Sequence, residues 1–334
     1  MRHFVIVGVL VVLVAVLTYA GLNSIGLMPV EASAQSVPID WLWNLDVRVI
    51  SFLFALIVVP ITYSLIAFRR RKGDTTDAEH IEGNTPLEIT WTVVPLIVVL
   101  IFAYLGAYTL AEIRVVDPSA AEIKVRAIQW AWSFQYPEGF TSKELHLPVN
   151  KQVVLKMESS DVIHSFWVPE FRIKQDVVPG RITEYRVTPI LVGSYMARCA
   201  ELCGASHAYM QAPVIVSSQA DYDAWIASQK ALAAAAAQTP AGRGEQLANT
   251  IGCRGCHTID GSKLVGPSWQ GLYGSPVTLS DGTTITANDA YLIESIANPS
   301  IKIVKGFETT TAMPKFDLTD AQIQDLVAYL ATLK

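Results

Sequence analysis

Charge is the property this sequence has least of. Only 16% of its 334 residues are Asp, Glu, Lys or Arg, and 51% are hydrophobic, whereas an average soluble chain is about 25% charged. The formal net charge is −5 and no basic block dominates, which excludes a disordered tail and a nucleic-acid-binding protein. Cysteine is also scarce. Four residues are too few for a scaffold held together by disulfides.

Long uncharged runs account for the hydrophobicity. Three stretches contain no charged residue: Phe4–Val30, Val49–Phe68 and Ile89–Ala111. A membrane-spanning helix needs about 20 mostly apolar residues, and neither of the last two stretches has a polar face. We therefore predict a two-helix transmembrane hairpin over residues 35–114, with helices at about 47–68 and 89–111. Pro60 and Pro95 interrupt these helices, which lipid tolerates when neighbours satisfy the backbone.

The basic run at residues 69–72 sets the topology. It lies between the two helices, and the positive-inside rule places it in the cytoplasm, so that everything after Ala111 is outside. Residues 1–34 are interpreted as a signal peptide, with Ala32-Ser33-Ala34 as the cleavage site. The alternative is an uncleaved extra N-terminal helix. Either one delivers residue 35 to the outer face.

Two further modules follow the hairpin. Residues 115–217 contain short β-rich segments separated by Pro and Gly, which favours an antiparallel sandwich or a small barrel. Residues 218–241 read as a short helix followed by an alanine-rich linker with nothing to pack against. Helical periodicity returns in residues 242–334, and a helical unit this small needs a staple or a cofactor to be stable.

The C-terminal module carries a haem-attachment motif. Cys253-Arg-Gly-Cys256-His257 is C-x-x-C-H, in which two thiols bind the haem vinyl groups and the histidine becomes an axial ligand. A redox C-x-x-C or half a zinc site is the alternative, but no Cys or His follows His257. Met313 is the only methionine after Met210, so we predict that it is the second axial ligand.

The β-rich module carries a second cluster. Cys199, Cys203, His207 and Met210 lie within twelve residues and form a soft, copper-type ligand set. A disulfide between the two cysteines is the alternative, and the nearby His and Met count against it. Two thiolates four residues apart can bridge two copper ions, which then require a second histidine. His164 is the candidate. His146 is predicted to lie on the sandwich surface, and His80 lies on the cytoplasmic side.

Most of the sequence resembles a known family. The stretch from about Trp41 to Trp225 is similar to subunit II of the haem–copper cytochrome c oxidases. The matching segments are Pro86–Pro95, Gln129–Phe134, Asp161–Pro169, Pro179–Arg181 and Cys199–Met210. With its C-terminal module, which resembles class I cytochrome c, the whole chain resembles the caa type with a fused cytochrome c.

The resemblance implies a multidomain membrane protein. Its parts are the two-helix hairpin, an all-β cupredoxin sandwich carrying the dinuclear CuA centre, and an all-α cytochrome c domain. Cys199 and Cys203 would bridge the copper ions; His164 with Met210 would cap one of them. His207 and the carbonyl of Glu201 would cap the other.

Further roles follow from the same resemblance. The Glu201 carboxylate would bind magnesium at the boundary with subunit I, and Glu88 would stand at the entrance of a proton path. Trp130 would be the electron entry point, although Ala131 occupies the position where the family commonly has a tyrosine. Gly266-Pro267 matches the segment whose proline carbonyl accepts the axial histidine N–H.

The expected protein is an electron-input subunit in a bacterial cell membrane, multi-pass, with both redox modules on the outer face. Electrons would pass from covalent haem c to CuA and on to subunit I and other oxidase subunits, where oxygen is reduced. A soluble or membrane cytochrome, or a reductase complex, would be the donor. Alternatives are a CuA-containing subunit of a nitric oxide reductase and an anchored electron shuttle.

Overall fold

The computed structural model describes residues 1–77, 80–308 and 313–334. Within them the chain forms two compact units, residues 1–115 and residues 116–334. The first contains the apolar helices, and the second contains the predicted β-rich and helical modules.

The first unit differs from the predicted two-helix hairpin. The described residues contain three helices long and apolar enough to cross a membrane: α1 Arg2–Ile25, α2 Ser36–Ala67 and α3 Thr85–Ile113. The hairpin prediction left out the first because its run was interpreted as a signal peptide. That run is nevertheless long enough for a full span. Helix α2 also begins well before residue 47, so its first turns include Asp40.

Helix α1 packs along α2 rather than standing apart. Val11 packs with Ala55 and Val59 of α2, and these three side chains are buried. Nδ1 of His3 lies 2.7 Å from the hydroxyl of Tyr63. The described fold of this unit is therefore a helical bundle in which α1 covers one side of α2. Pro60 and Pro95 lie inside α2 and α3, as the sequence predicts.

The β-rich module is a sandwich, as predicted, but it is not wholly antiparallel. The strand that begins at Ala121 pairs in parallel with the one that begins at Val153, and the strands that begin at Leu145 and Gln211 also pair in parallel. Its strands are β1 Ala121–Ile128, β2 Ala131–Gln135, β3 Thr141–Ser142, β4 Leu145–Pro148, β5 Val153–Ser159, β6 His164–Val168, β7 Ile173–Val177, β8 Thr183–Val187, β9 Gly193–Cys199 and β10 Gln211–Ser217. Within the described chain they form two five-stranded sheets, in the orders β3-β2-β1-β5-β8 and β4-β10-β9-β6-β7.

Alternating side chains build the sandwich core. In β1, Ile123, Val125 and Ala127 are buried while the residues between them are more exposed. This period of two points one face of each strand at the opposite sheet. Phe134 and Phe166 fill the centre and are fully buried.

The predicted alanine-rich linker is helical. Helix α4 runs from Gln219 to Ala237 without a break, and α5 Pro240–Thr250 begins three residues later. The alanine run does have a packing partner, contrary to the prediction: Gln246 Nε2 donates to the Ala233 carbonyl at 2.9 Å. A Cβ at Gly242 would lie 2.2 Å from the Ala236 carbonyl oxygen, so glycine permits this close crossing.

The C-terminal module is helical, as predicted, with a short hairpin that the sequence analysis missed. Its elements are α5, the strands β11 Pro276–Thr278 and β12 Thr284–Thr286, and the helices α6 Asp289–Ala297 and α7 Asp320–Leu330. Helices α5 and α7 cross so closely that a Cβ at Gly244 would lie 1.9 Å from the Asp325 carbonyl oxygen. Ala248, Leu326 and Leu330 are buried in this core.

Candidate copper and haem centres

The predicted copper ligands come from three parts of one sheet. His164 opens β6, Cys199 ends β9, and Cys203, His207 and Met210 lie in the loop between β9 and β10. Strands β6 and β9 are antiparallel neighbours, with Phe166 opposite Cys199. This register brings His164 to the loop.

The predicted ligand atoms converge. The Cys199 and Cys203 sulfurs are 3.7 Å apart, and His164 Nδ1 lies 3.8 Å from the Cys199 sulfur. His207 Nδ1 lies 3.5 Å and the Met210 sulfur 3.8 Å from the Cys203 sulfur. The Glu201 carbonyl oxygen is 3.2 Å from the Cys199 sulfur. The donors face one another, and His164 and Met210 are fully buried. Such soft donors around one point fit copper.

The two cysteines are free thiols. Their separation is far from the roughly 2.05 Å of a disulfide. Burial by itself would raise the pKa of Cys199, but the neighbouring His164 ring and backbone groups lower it. Burial and the neighbouring Cys199 charge raise the pKa of Cys203. Without metal the pair therefore favours one thiolate, and binding cations must displace the second proton.

Two residues that support the cluster were missed by sequence reasoning. The Asp161 carboxylate accepts from His164 Nε2 at 2.8 Å, which leaves Nδ1 free to face the sulfur. The same carboxylate accepts the Gln129 backbone N–H at 2.6 Å. The Gln129 side chain donates to the Cys203 carbonyl at 2.7 Å. A carboxylate three residues before His164 is the one sequence signal that could have pointed to Asp161.

The other predicted site residues lie as follows. Trp130 is buried, and its indole N–H donates to the Cys203 carbonyl at 3.1 Å. The Glu201 side chain is exposed beside the copper cluster. Glu88 lies in the first turn of α3, and its carboxylate accepts the Asn84 backbone N–H at 3.1 Å, which forms a helix cap.

The prediction that His146 lies on the sandwich surface is wrong. His146 is only 8% exposed because the Trp225 ring of α4 stacks on its imidazole with centroids 3.8 Å apart. Its Nε2 lies 3.2 Å from the Glu144 carboxylate. His146 therefore anchors α4, and it stays outside the copper cluster as the sequence analysis favoured.

The haem-attachment motif forms a tight turn with its histidine fixed in place. Cys253–Gly255 is a 3₁₀ turn, and Cys253 is buried. The His257 Nδ1–H donates to the Pro267 carbonyl at 2.8 Å, as the resemblance implied. This bond leaves Nε2 with the lone pair that an iron ligand needs. Burial lowers the pKa of His257 and so favours the neutral ring.

A glycine beside this histidine is required by packing. A Cβ at Gly266 would lie 2.6 Å from His257 Cε1. Met313, the predicted second axial ligand, lies half-buried in the segment before α7. Its role stays a prediction. Together, two free thiols and a neutral, oriented imidazole fit a covalently bound haem.

Three family models match consecutive parts of the chain. They are "Cytochrome C oxidase subunit II, transmembrane domain" at residues 17–106, "Cytochrome C oxidase subunit II, periplasmic domain" at residues 140–219, and "Cytochrome c" at residues 241–334. The second implies the CuA copper centre, and the third implies haem c.

Named relatives agree with these family models. The chain is 34% identical over 271 residues to "Cytochrome c oxidase subunit 2" of Synechocystis sp., covering 67% of this chain and 81% of the relative. It is 32% identical over 308 residues to the protein of the same name from Alkalihalophilus pseudofirmus, covering 87% of each. The Bacillus subtilis protein of that name is 30% identical over 316 residues, covering 86% of this chain and 88% of the relative. Because these matches span most of both sequences, the chain belongs to the cytochrome c oxidase subunit 2 family and carries a fused cytochrome c domain.

Proposed function

We propose that this chain accepts electrons at a covalent haem c, transfers them to a dinuclear CuA centre and delivers them to the catalytic subunit of a haem–copper oxidase. One observation carries the proposal. A convergent thiol–imidazole–thioether cluster and an oriented C-x-x-C-H turn lie in the same compact unit, residues 116–334. When bound, copper and haem supply one-electron carriers, while the oxygen-reducing site resides on another subunit.

The converging donors would hold the two copper ions: the Cys199 and Cys203 thiolates, His164, His207, Met210 and the Glu201 carbonyl. The family resemblance implies that the two ions would share both thiolates. It also implies that His164 and Met210 would serve one ion, and His207 with the Glu201 carbonyl the other. The Asp161 carboxylate holds the His164 ring in the orientation that presents Nδ1. The buried His164 and Met210 keep bulk water away from the centre.

The haem-binding roles are divided between the turn and a distant segment. Cys253 and Cys256 would attach the haem, and His257 would bind its iron through Nε2. Met313 would supply the second iron ligand. The Pro267 carbonyl fixes the imidazole plane, because its bond to Nδ1 restricts ring rotation.

Three roles rest on the family resemblance together with placement. The exposed Glu201 carboxylate binds magnesium at the interface with subunit I. Trp130, bonded to the Cys203 carbonyl, conducts electrons to the copper cluster. Glu88 stands at the start of α3, where it serves the entrance of a proton path.

The setting is a bacterial cell membrane. Three apolar helices anchor the chain, and the basic run at residues 69–72 places the α2–α3 loop in the cytoplasm. The sandwich and the haem module then lie on the outer face. Subunit I and the other oxidase subunits are the partners, and a cytochrome or a reductase complex is the electron donor.

Truncation after Ser228 tests this function in the assembled oxidase. The cut retains Trp225, so the anchor of α4 on His146 survives. We expect oxygen uptake driven by the native donor to fall sharply, while small mediators still reduce an intact CuA centre. Undiminished turnover with the native donor would show that the haem module is not the route of electron entry.

A further inference from the structure

The haem-attachment turn lies directly against the sandwich. Gly255 is so close that a Cβ built on it would lie 3.0 Å from the Trp130 backbone nitrogen and 3.2 Å from the Ala131 Cβ. A Cβ on Gly252, where φ is +84°, would lie 2.3 Å from the Ile128 side chain. At Gly252 the distance is too short for a real Cβ contact and φ is positive, so a larger residue would be strained there. At Gly255 the distances are short enough that a side chain would require the neighbouring atoms to move.

Gln129 contacts both this turn and the copper cluster. The Cys256 sulfur lies 3.5 Å from the Gln129 carbonyl oxygen. The side-chain amide of Gln129 donates to the Cys203 carbonyl at 2.7 Å. Its backbone N–H donates to Asp161, which holds His164. Gln129 thus contacts a haem-attachment sulfur, a copper-ligand residue and the carboxylate that orients another ligand.

Ala131 has a clear role in this contact. Its Cβ would lie 3.2 Å from a Cβ built on Gly255, so the turn leaves little space for a larger side chain at residue 131. Trp130 is 7% exposed, and the turn lies against its backbone nitrogen. An external cytochrome therefore has little access to Trp130 in this arrangement.

Anchoring of α4 and α5 keeps the turn in this position. The Trp225 ring stacks on His146 of the sandwich, and Gln246 of α5 bonds to the alanine run of α4. Arg243 of α5 forms two hydrogen bonds with Asp325 of α7, at 2.8 and 2.7 Å. A continuous chain of packed helices thus connects the sandwich with the haem module, where a flexible linker would leave the module mobile.

We propose that residues 252–256 form a permanent docking turn on residues 128–131, and that Gln129 is the positioning residue connecting it to CuA. The inference rests on the proposed function and specifies its route. A bound haem would supply one electron and a bound copper pair would accept it, with no proton transferred and no bond broken. With haem attached, Cys256 is a thioether, so its contact with the Gln129 carbonyl is a van der Waals contact. External donors must therefore reduce the haem module rather than CuA.

Ala131→Tyr in the full chain, assembled in its oxidase, tests the docking. The added ring should displace the turn, while Ala131 itself belongs to neither the copper nor the haem ligand set. We expect faster hydrogen exchange in a peptide spanning residues 249–258 and severalfold slower haem-to-CuA electron transfer after flash reduction of the haem. The copper and haem spectra should stay unchanged. The matched control is Ala121→Tyr, the same change at an exposed strand end.

Gln129→Leu tests the connection separately. The substitution removes the side-chain hydrogen bond from residue 129 to the Cys203 carbonyl. That carbonyl still accepts the hydrogen bond from the Trp130 indole. We expect slower haem-to-CuA transfer and a shifted copper hyperfine coupling, with hydrogen exchange of the turn unchanged. Gln135→Leu, at an exposed position of β2, is the control.

The outcomes separate the two proposals. If the wild-type complex transfers no electron from haem to CuA, the proposed function fails. If the wild type transfers electrons and Ala131→Tyr matches it in both transfer rate and hydrogen exchange, the docking turn is refuted. If Ala131→Tyr loses its copper spectrum, Gly252→Ala is used as the test variant instead. Its added Cβ clashes with Ile128 but belongs to the haem module, so the sandwich sequence stays unchanged. Unchanged exchange and transfer in that variant also refutes the docking.

Discussion

The copper cluster and the haem turn hold their ligands in opposite ways. In the sandwich, His164 and Cys199 lie on the neighbouring strands β6 and β9. Met210 lies at the end of the loop between β9 and β10. Their donor atoms already lie within 4 Å of a neighbouring sulfur. In the haem module, Cys253, Cys256 and His257 lie within one five-residue segment, so a local turn suffices to present them.

This difference shows where each centre gets its rigidity. The copper ligands are side chains of a packed double-sheet core, which buries Phe134 and Phe166 completely. Within the described residues, the haem module has three short helices and a two-stranded hairpin. We expect a core this small to depend on the cofactor for its stability. The copper site is therefore preorganised by the fold, whereas the haem site needs its cofactor to complete the fold.

Among these predictions, loss of one of the two copper-binding thiolates should have the largest effect, because it removes the dinuclear copper signal. Cys203→Ser should abolish the mixed-valence dinuclear signal completely, because one thiolate supports at most a mononuclear site. Copper hyperfine structure in electron paramagnetic resonance measures this. Tyr209→Phe, at a highly exposed position of the same loop, is the control and should keep the seven-line pattern that the family resemblance implies. A seven-line pattern in Cys203→Ser would mean that the second bridge is another residue.

Removal of haem should unfold one module and spare the other. The double variant Cys253→Ser, Cys256→Ser cannot attach haem covalently. We expect hydrogen-exchange protection to be lost in α5, α6 and α7 while β6 and β9 stay protected and the copper signal persists. The reciprocal comparison is Cys203→Ser, which should keep haem and full protection of the helices. Helices that stay protected without haem would contradict the proposed dependence on the cofactor.

Removal of the second axial ligand should have an intermediate effect. Met313→Ala should leave the haem covalently attached but lower its reduction potential, because methionine ligation raises it. We expect a decrease on the order of 100 mV, within the roughly 0.8 V range that axial ligands control. Redox titration measures it, with Lys315→Ala in the same segment as control. An unchanged potential and an unchanged sulfur-to-iron absorption would exclude Met313 as the ligand.

The smallest predicted effect concerns the anchor of α4. Burial lowers the pKa of His146, although Glu144 partly opposes this shift. The unfolded chain therefore binds more protons than the folded one just below pH 6.5, so stability should fall as the pH falls through that window. His146→Phe keeps a ring under Trp225 but cannot titrate, so its stability should depend less on pH there.

Urea unfolding followed by hydrogen exchange in β4 measures this dependence. His80→Phe, in an exposed loop of the first unit, is the control and should behave as wild type. Equal pH dependence in His146→Phe and wild type would show that His146 does not contribute.

Short-range patterns were enough to predict the chemistry. The C-x-x-C-H motif, the Cys199–Met210 cluster and the uncharged runs each depend on residues close together in sequence. The sandwich was predictable as a class because alternation of apolar residues is a local property. The first helix was underestimated because a signal peptide and a spanning helix share the same composition.

Only the tertiary structure decided how these parts are joined. Asp161, Gln129 and Cys203 meet because strand ends and a loop converge at one edge of the sandwich, and no local pattern encodes that convergence. The alanine run reads as a linker by composition, yet α5 packs against it and it continues α4. The sequence by itself determined which ligands this protein offers. Long-range packing decided that the haem turn lies on Ile128–Ala131, since such contacts join residues more than a hundred positions apart.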